Sequence, residues 1–128
     1  MAAVLTGALI IGEAAKFPAL ALNAAQFRHG QLEMAGSQLT VLVFSGPAET
    51  DALNRHLLQD LLNFGTAAFW LSPTEQRAFP ALPMPQASGI GLPLAEIVPM
   101  QLLSVHLARQ MGHEPGKFLY SGKVTLTE

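Results

Sequence analysis

Cysteine is absent from this 128-residue chain. Disulfides, thiolate metal sites and a cysteine nucleophile are therefore excluded. Charge is scarce as well: 12% of residues are Asp, Glu, Lys or Arg, about half the roughly 25% of ordinary soluble domains. Seven Lys and Arg stand against nine Asp and Glu, for a net charge of −2 and no basic run. Phosphate-backbone binding needs clustered cations, so nucleic acid is not an expected partner. No uninterrupted apolar run approaches the ~20 residues that span a bilayer. The apolar opening, Met1 to Gly12, lacks a basic n-region and is followed at once by Glu13, unlike a signal peptide. A cytoplasmic location is the default expectation. No Gly-x-Ser-x-Gly elbow occurs, and Gly89-Ile90-Gly91 sits in a proline-rich stretch rather than after a strand. His56, His106 and His113 lack metal-ligand spacing with any acid, so no metal is expected.

What is abundant is apolar surface. Half the residues are hydrophobic and the mean hydropathy is +0.34. A lone domain stays monomeric by carrying a charged, patch-free surface. This composition instead predicts apolar faces buried against partner segments or other subunits.

The pattern along the chain alternates helices and strands. Val4 to Phe17 reads as a helix apolar nearly all round, hence buried, and closed by Pro18. Asn23 is placed to cap a short second helix through Arg28, with Gly30 ending it. Leu39 to Phe44 is a continuous β-branched apolar run typical of a parallel strand, followed by a Ser45-Gly46-Pro47 turn in which Ser45 suits a capping role. Asp51 to Phe64 predicts a helix with Leu53, Leu57, Leu61 and Phe64 on one stripe, stopped by Gly65. Thr66 to Leu71 reads as a second buried strand. Four prolines between Ser72 and Gly91 (Pro73, Pro80, Pro83, Pro85) leave room for one edge strand at most. Leu94 to Met111 is the longest predicted helix, with Pro99 at its start or at a kink. From Gly112 the chain reads as an extended tail. Trp70, the phenylalanines and His106 read as core. The expected architecture is α/β, with a parallel sheet between helical layers.

Two side chains stand out chemically. Glu13 lies on a helical stripe with Thr6, Ile10 and Phe17. A carboxylate on a buried apolar helix is desolvated, which raises its pKa and suits it to general-base work. The plainer alternative is a solvated Glu13–Lys16 pair. His29 can donate or accept a proton near neutrality, or else serve as a histidine favoured by a helix C-terminus.

The stretch Gln26-Phe27-Arg28-His29-Gly30-Gln31-Leu32-Glu33-Met34, with Glu13 sixteen positions before His29, resembles the "His-Gly-Pro-Leu" segment of the sugar isomerase (SIS) domain. That domain forms the isomerase half of glutamine–fructose-6-phosphate aminotransferases and related phosphosugar isomerases. The closing Lys123-Val124-Thr125-Leu126-Thr127-Glu128 resembles the family's lysine-bearing tail. The resemblance implies a three-layer α/β/α fold, flavodoxin-like, with residues 1–128 as the carboxyl-terminal part of the SIS unit. It implies Glu13 as the base that moves a proton between C1 and C2 of a sugar phosphate, His29 as the group that opens the ring, and Lys123 as a cation or Schiff-base amine. Arg28 and Gly30 fit the substrate-binding motif, and no cofactor is implied. The expected partners are a sugar phosphate and either a homo-oligomer or a missing amino-terminal SIS half.

Several positions depart from the family pattern. Gln31 replaces a proline, and Thr6 and Ile10 replace a glutamate and a lysine. Glu114-Pro115-Gly116-Lys117-Phe118 looks more like deglycase-type isomerases than like the aminotransferase. The family's Ser/Thr-rich phosphate loop has no counterpart here, and neither does the amino-terminal cysteine of glutamine hydrolysis. A non-catalytic SIS domain that senses a sugar phosphate for regulation is the alternative, and a half serving only dimer formation is a third.

Overall fold

The structure is a computed structural model, which describes residues 1–73, 78–82 and 84–120. Helix α1 (Ala2–Ile10) continues into a π-helical turn, Ile11–Ala15. Helix α2 (Ala24–Arg28) leads through a 3-10 turn, Gln31–Met34, into strand β1 (Thr40–Phe44). Helix α3 (Ala48–Asn63), strand β2 (Ala67–Leu71), the short strand β3 (Ala81–Leu82) and helix α4 (Gly91–Gln110) complete the order. The sheet runs β1-β2-β3 and is parallel throughout, with Thr40 to Phe44 beside Ala67 to Leu71 and Trp70 beside Ala81.

Strand alternation divides the interior into two clusters. Val43, Ala68 and Trp70 project to one face, where they meet Leu57, Leu58 and Leu61 of α3, with Phe27 of α2 and Leu32 packed alongside. Leu42, Phe44 and Leu71 project to the other face, toward Ile11 of the π-helical turn and Met100 of α4. Period-2 alternation requires this split. Helices thus cover both faces of a parallel sheet, the expected three layers.

The α1–α4 contact is built from small residues. Ala3, Gly7, Ile11 and Ala15 are the buried positions of the first helix and its turn, against Met100, Ser104 and Ala108 of α4. A Cβ on Gly7 would stand 2.9 Å from Met100 Cγ, so only glycine permits this approach. The expectation of a helix buried all round is corrected here: Leu5 and Leu9 are more than half exposed, as are Leu94 and Leu102 of α4. An apolar face of α1 and α4 therefore lacks a partner among the described residues. The helix also stops before Phe17, with Lys16 in the left-handed region (φ 56°). Pro18 disfavours α-helical backbone at Phe17.

Other boundaries moved for identifiable reasons. In α3 the buried positions are Leu57, Leu58 and Leu61, whereas Leu53 and Phe64 face outward. Asn54 turns the helix to this phase by donating its amide to the carbonyls of Phe44 (3.1 Å) and Ser45 (3.0 Å). Ser45 is buried and does not cap α3, whose N-cap is Pro47. Gly46 turns the chain with φ 68°, where a Cβ would meet Thr50 Oγ1 at 2.7 Å. Helix α4 starts three residues earlier than expected and runs through Pro99, which is buried. Phe17 and Phe118 are exposed rather than core, as is His106, which lies away from the inward positions of α4. By length and composition alone α4 could cross a membrane. Its inner side nevertheless packs as a core helix does, burying Ala95, Glu96, Pro99, Met100, Ser104 and Ala108.

Glu96 is the one buried carboxylate among the described residues. Burial pushes its carboxyl above the ordinary 4.5, with the amino-terminal ammonium pulling weakly the other way. Above the ordinary value the unfolded chain has lost this proton while the folded chain still holds it. Stability attributable to Glu96 therefore falls as pH rises from about 4.5 toward the raised folded value. Glu96→Gln is expected to flatten that decline and to raise the urea midpoint at pH 7. Urea titrations of both proteins across pH 4 to 8 check this.

Candidate functional site

The capping of α2 sets the position of His29. Asn23 Oδ1 accepts from the Gln26 backbone N–H (2.8 Å), and Gln26 Oε1 accepts in return from the Asn23 N–H (3.1 Å). This reciprocal box fixes a five-residue helix that would be marginal alone. His29 is its C-cap residue, exposed, with its backbone N–H shared between the carbonyls of Ala25 and Gln26 at 3.2 Å each. Arg28 is half-exposed and pairs with Asp60 Oδ2 of α3 at 2.8 Å. That pairing uses one guanidinium nitrogen and leaves other N–H donors of Arg28 for a substrate to share. Gly30 is exposed, with open space where a Cβ would stand.

Glu13 occupies the middle of the π-helical turn. Its stripe-mates Thr6 and Phe17 are exposed, and so is Glu13 itself. The desolvation expected from an all-round buried helix is absent, because the inward positions are Gly7, Ile11 and Ala15. The Glu13–Lys16 ion pair, the plainer alternative, is replaced by another contact. Lys16 Nζ donates to the main-chain carbonyl of Glu13 and leaves the carboxylate free to face a groove.

Two concavities share Glu13 and Phe118 as wall. The smaller, about 120 Å³, is lined by Ile10, Glu13, Ala14, Gly116 and Phe118. The larger, about 610 Å³, lies between the Gly12–Pro18 stretch and the tail residues Phe118, Leu119 and Tyr120. Its size falls within the range of small-molecule sites, and its lining is mostly apolar with one carboxylate and one ammonium. The tail stays beside the turn because Lys16 Nζ also donates to the Lys117 carbonyl, at 2.7 Å. Lys123 lies outside the described residues.

Neither concavity that holds Glu13 includes His29. The turn that carries Glu13 packs through Ile11 into the cluster with Leu71 and Met100. The helix that carries His29 packs through Phe27 into the cluster on the opposite face of the sheet. Lys16 and the aromatic wall of Phe17, Phe118 and Tyr120 did not emerge from the sequence. A lysine just before Phe17-Pro18 marks a helix end, but nothing in composition joins it to a tail about a hundred residues away.

Comparison with known proteins decides the architecture. No protein-family model and no curated protein matches the chain. Among solved structures, the C-terminal domain of glucosamine-fructose-6-phosphate aminotransferase from Francisella tularensis superposes with a TM-score of 0.72 over 85% of this chain, at 20% identity. The fold is of the SIS type. The likeness in sequence to the SIS domain is thus matched by likeness in three dimensions. The chain covers 32% of that neighbour's length. At this identity the likeness shows a shared fold and nothing finer.

Proposed function

We propose that this chain is the carboxyl-terminal part of an SIS phosphosugar isomerase, acting on a ketose 6-phosphate or an amino-sugar phosphate in the cytoplasm. The observation that carries the reading is Glu13, a free carboxylate on the shared wall of both concavities. Aldose–ketose interconversion needs a single base that takes a proton from one of C1 and C2 and returns it to the other. Glu13 supplies that base. His29 assists ring opening, exchanging a proton with the ring oxygen or the anomeric hydroxyl. Arg28 and Gly30 flank the sugar, and Lys123 holds the open-chain form or its phosphate. The substrate carbonyl is itself the electron sink, so no cofactor enters.

Opposite placement of Glu13 and His29 supports a pocket completed by a second SIS half or a second copy. The uncovered apolar residues Leu5, Leu9, Leu94 and Leu102 support the same reading. Such a partner would also exclude water from Glu13, which a single copy leaves solvated. The neighbouring structure is a domain of a glucosamine-fructose-6-phosphate aminotransferase and is far longer than this chain, in keeping with a missing half.

The test is an assay of the complete protein with fructose 6-phosphate and ammonia, and with glucosamine 6-phosphate for amine release. Turnover in either direction is the expected result. Saturable binding of the sugar phosphates with no turnover would replace this reading by that of a regulatory sensor. Loss of the lysine position at Ile10 is the feature that favours the sensor.

A further inference from the structure

Lys16 is the one non-glycine residue with positive φ among the described residues, at 56°. Glycine or asparagine ordinarily occupies such a helix end, because a side chain there meets its own backbone. An unfavourable conformation persists where surrounding contacts hold it, and it invites a functional explanation. The contacts are explicit here. Lys16 Nζ donates to the Glu13 carbonyl, one of the acceptors left open at the helix end. It donates also to the Lys117 carbonyl at 2.7 Å. Lys117 closes a turn by giving its N–H to the Glu114 carbonyl at 3.1 Å. The next residues, Phe118, Leu119 and Tyr120, form the far wall of the larger groove. One ammonium thus joins the residue that offers the carboxylate to the point where the opposite wall begins.

We propose that Lys16 is a positioning residue: its ammonium clamps the Lys117 carbonyl to the Glu13 turn and thereby sets the width of the groove between Glu13 and the Phe118–Tyr120 tail. The left-handed backbone is what aims the side chain back over the helix end toward both carbonyls. The clamp is a property of the fold. Its effect on catalysis rests on the reading of Glu13 as the isomerase base.

Three variants of the full chain separate these levels. Lys16→Gly relieves the backbone and removes the ammonium; Lys16→Met removes the ammonium alone; Lys16→Arg keeps a cationic donor. The primary readout is chymotryptic cleavage after Phe118 and Tyr120, mapped by mass spectrometry against cleavage after exposed Phe64 as internal reference. Cleavage of the tail relative to Phe64 is expected to rise roughly tenfold in the Gly and Met variants, as loss of a charge-assisted hydrogen bond implies. Lys16→Arg is expected to restore most of the protection, and the urea midpoint of Lys16→Gly to stay at or above that of the parent. Unchanged tail cleavage in Lys16→Met overturns the clamp, as does equal loss of protection at Phe64. The second readout is the KM for fructose 6-phosphate, expected to rise several-fold with kcat less affected. Faster tail cleavage with an unaltered KM upholds the clamp and removes the groove from the proposed isomerase site.

Discussion

Glu13→Gln is expected to leave the protein folded and to cut isomerisation by about 10²- to 10⁴-fold, the usual worth of a positioned general base. The substitution keeps size and hydrogen-bonding capacity and removes only the ability to carry a proton. Because Glu13 is exposed and no described group depends on its carboxylate, the urea midpoint is expected to change by less than about 0.5 kcal/mol in equivalent stability. Steady-state rates with fructose 6-phosphate, set beside urea titrations of the same preparations, provide the check. The KM is expected to move little, since a proton acceptor acts in the transition state rather than in binding. A Gln variant with parental turnover would remove Glu13 from the chemistry.

The largest effect on stability is expected at Trp70. This side chain is 1% exposed on β2, the middle strand of the sheet, against Leu57, Leu58 and Leu61 of α3. The Arg55 guanidinium lies 5.0 Å from its ring centroid, held there by its pairing with Asp51 on the preceding turn of α3. Phe79 approaches it in a tilted arrangement at 6.4 Å between centroids. Trp70→Ala empties a central volume and ends both ring contacts, at a cost of about 3–5 kcal/mol. Domains of this kind have about 5–15 kcal/mol in total, so the variant is expected to unfold at a much lower urea concentration. Trp70→Phe is expected to cost far less. The indole N–H is buried with no hydrogen-bond partner among the described residues, and its removal relieves a desolvated donor worth about 1–3 kcal/mol. A Phe variant as unstable as the Ala variant would show that contacts specific to the indole, rather than filled volume, hold this position.

How much of this was legible in advance differs by element. Strands β1 and β2 announced themselves as short apolar runs bounded by glycine, and their neighbours follow from the alternation of strand and helix. The N-cap of α2 was readable because Asn23 and Gln26 act within four residues of each other. The phase of α3 was not, because it depends on Asn54 reaching across to the carbonyls that end β1. Helix α1 gave no phase at all. With apolar residues on every side, periodicity could not say that small Ala3 and Gly7 face inward while Leu5 and Leu9 face out. The same ambiguity misjudged the environment of Glu13 while leaving its identity as the candidate acid intact. Lys16 was illegible as a clamp, since its partner lies at the other end of the chain and a backbone carbonyl has no sequence signature.

The division of the interior by the sheet bears on how mutations would combine. Where a second copy completes the pocket, the acid of one molecule works with the imidazole of the other, so impaired Glu13→Gln and His29→Asn preparations are expected to rescue each other when mixed and allowed to exchange subunits. One pocket in such a hybrid would inherit both defects, while the other would inherit none. The unit of activity would then be the pair, and an assembly of one damaged and one healthy chain would keep one working pocket of its two.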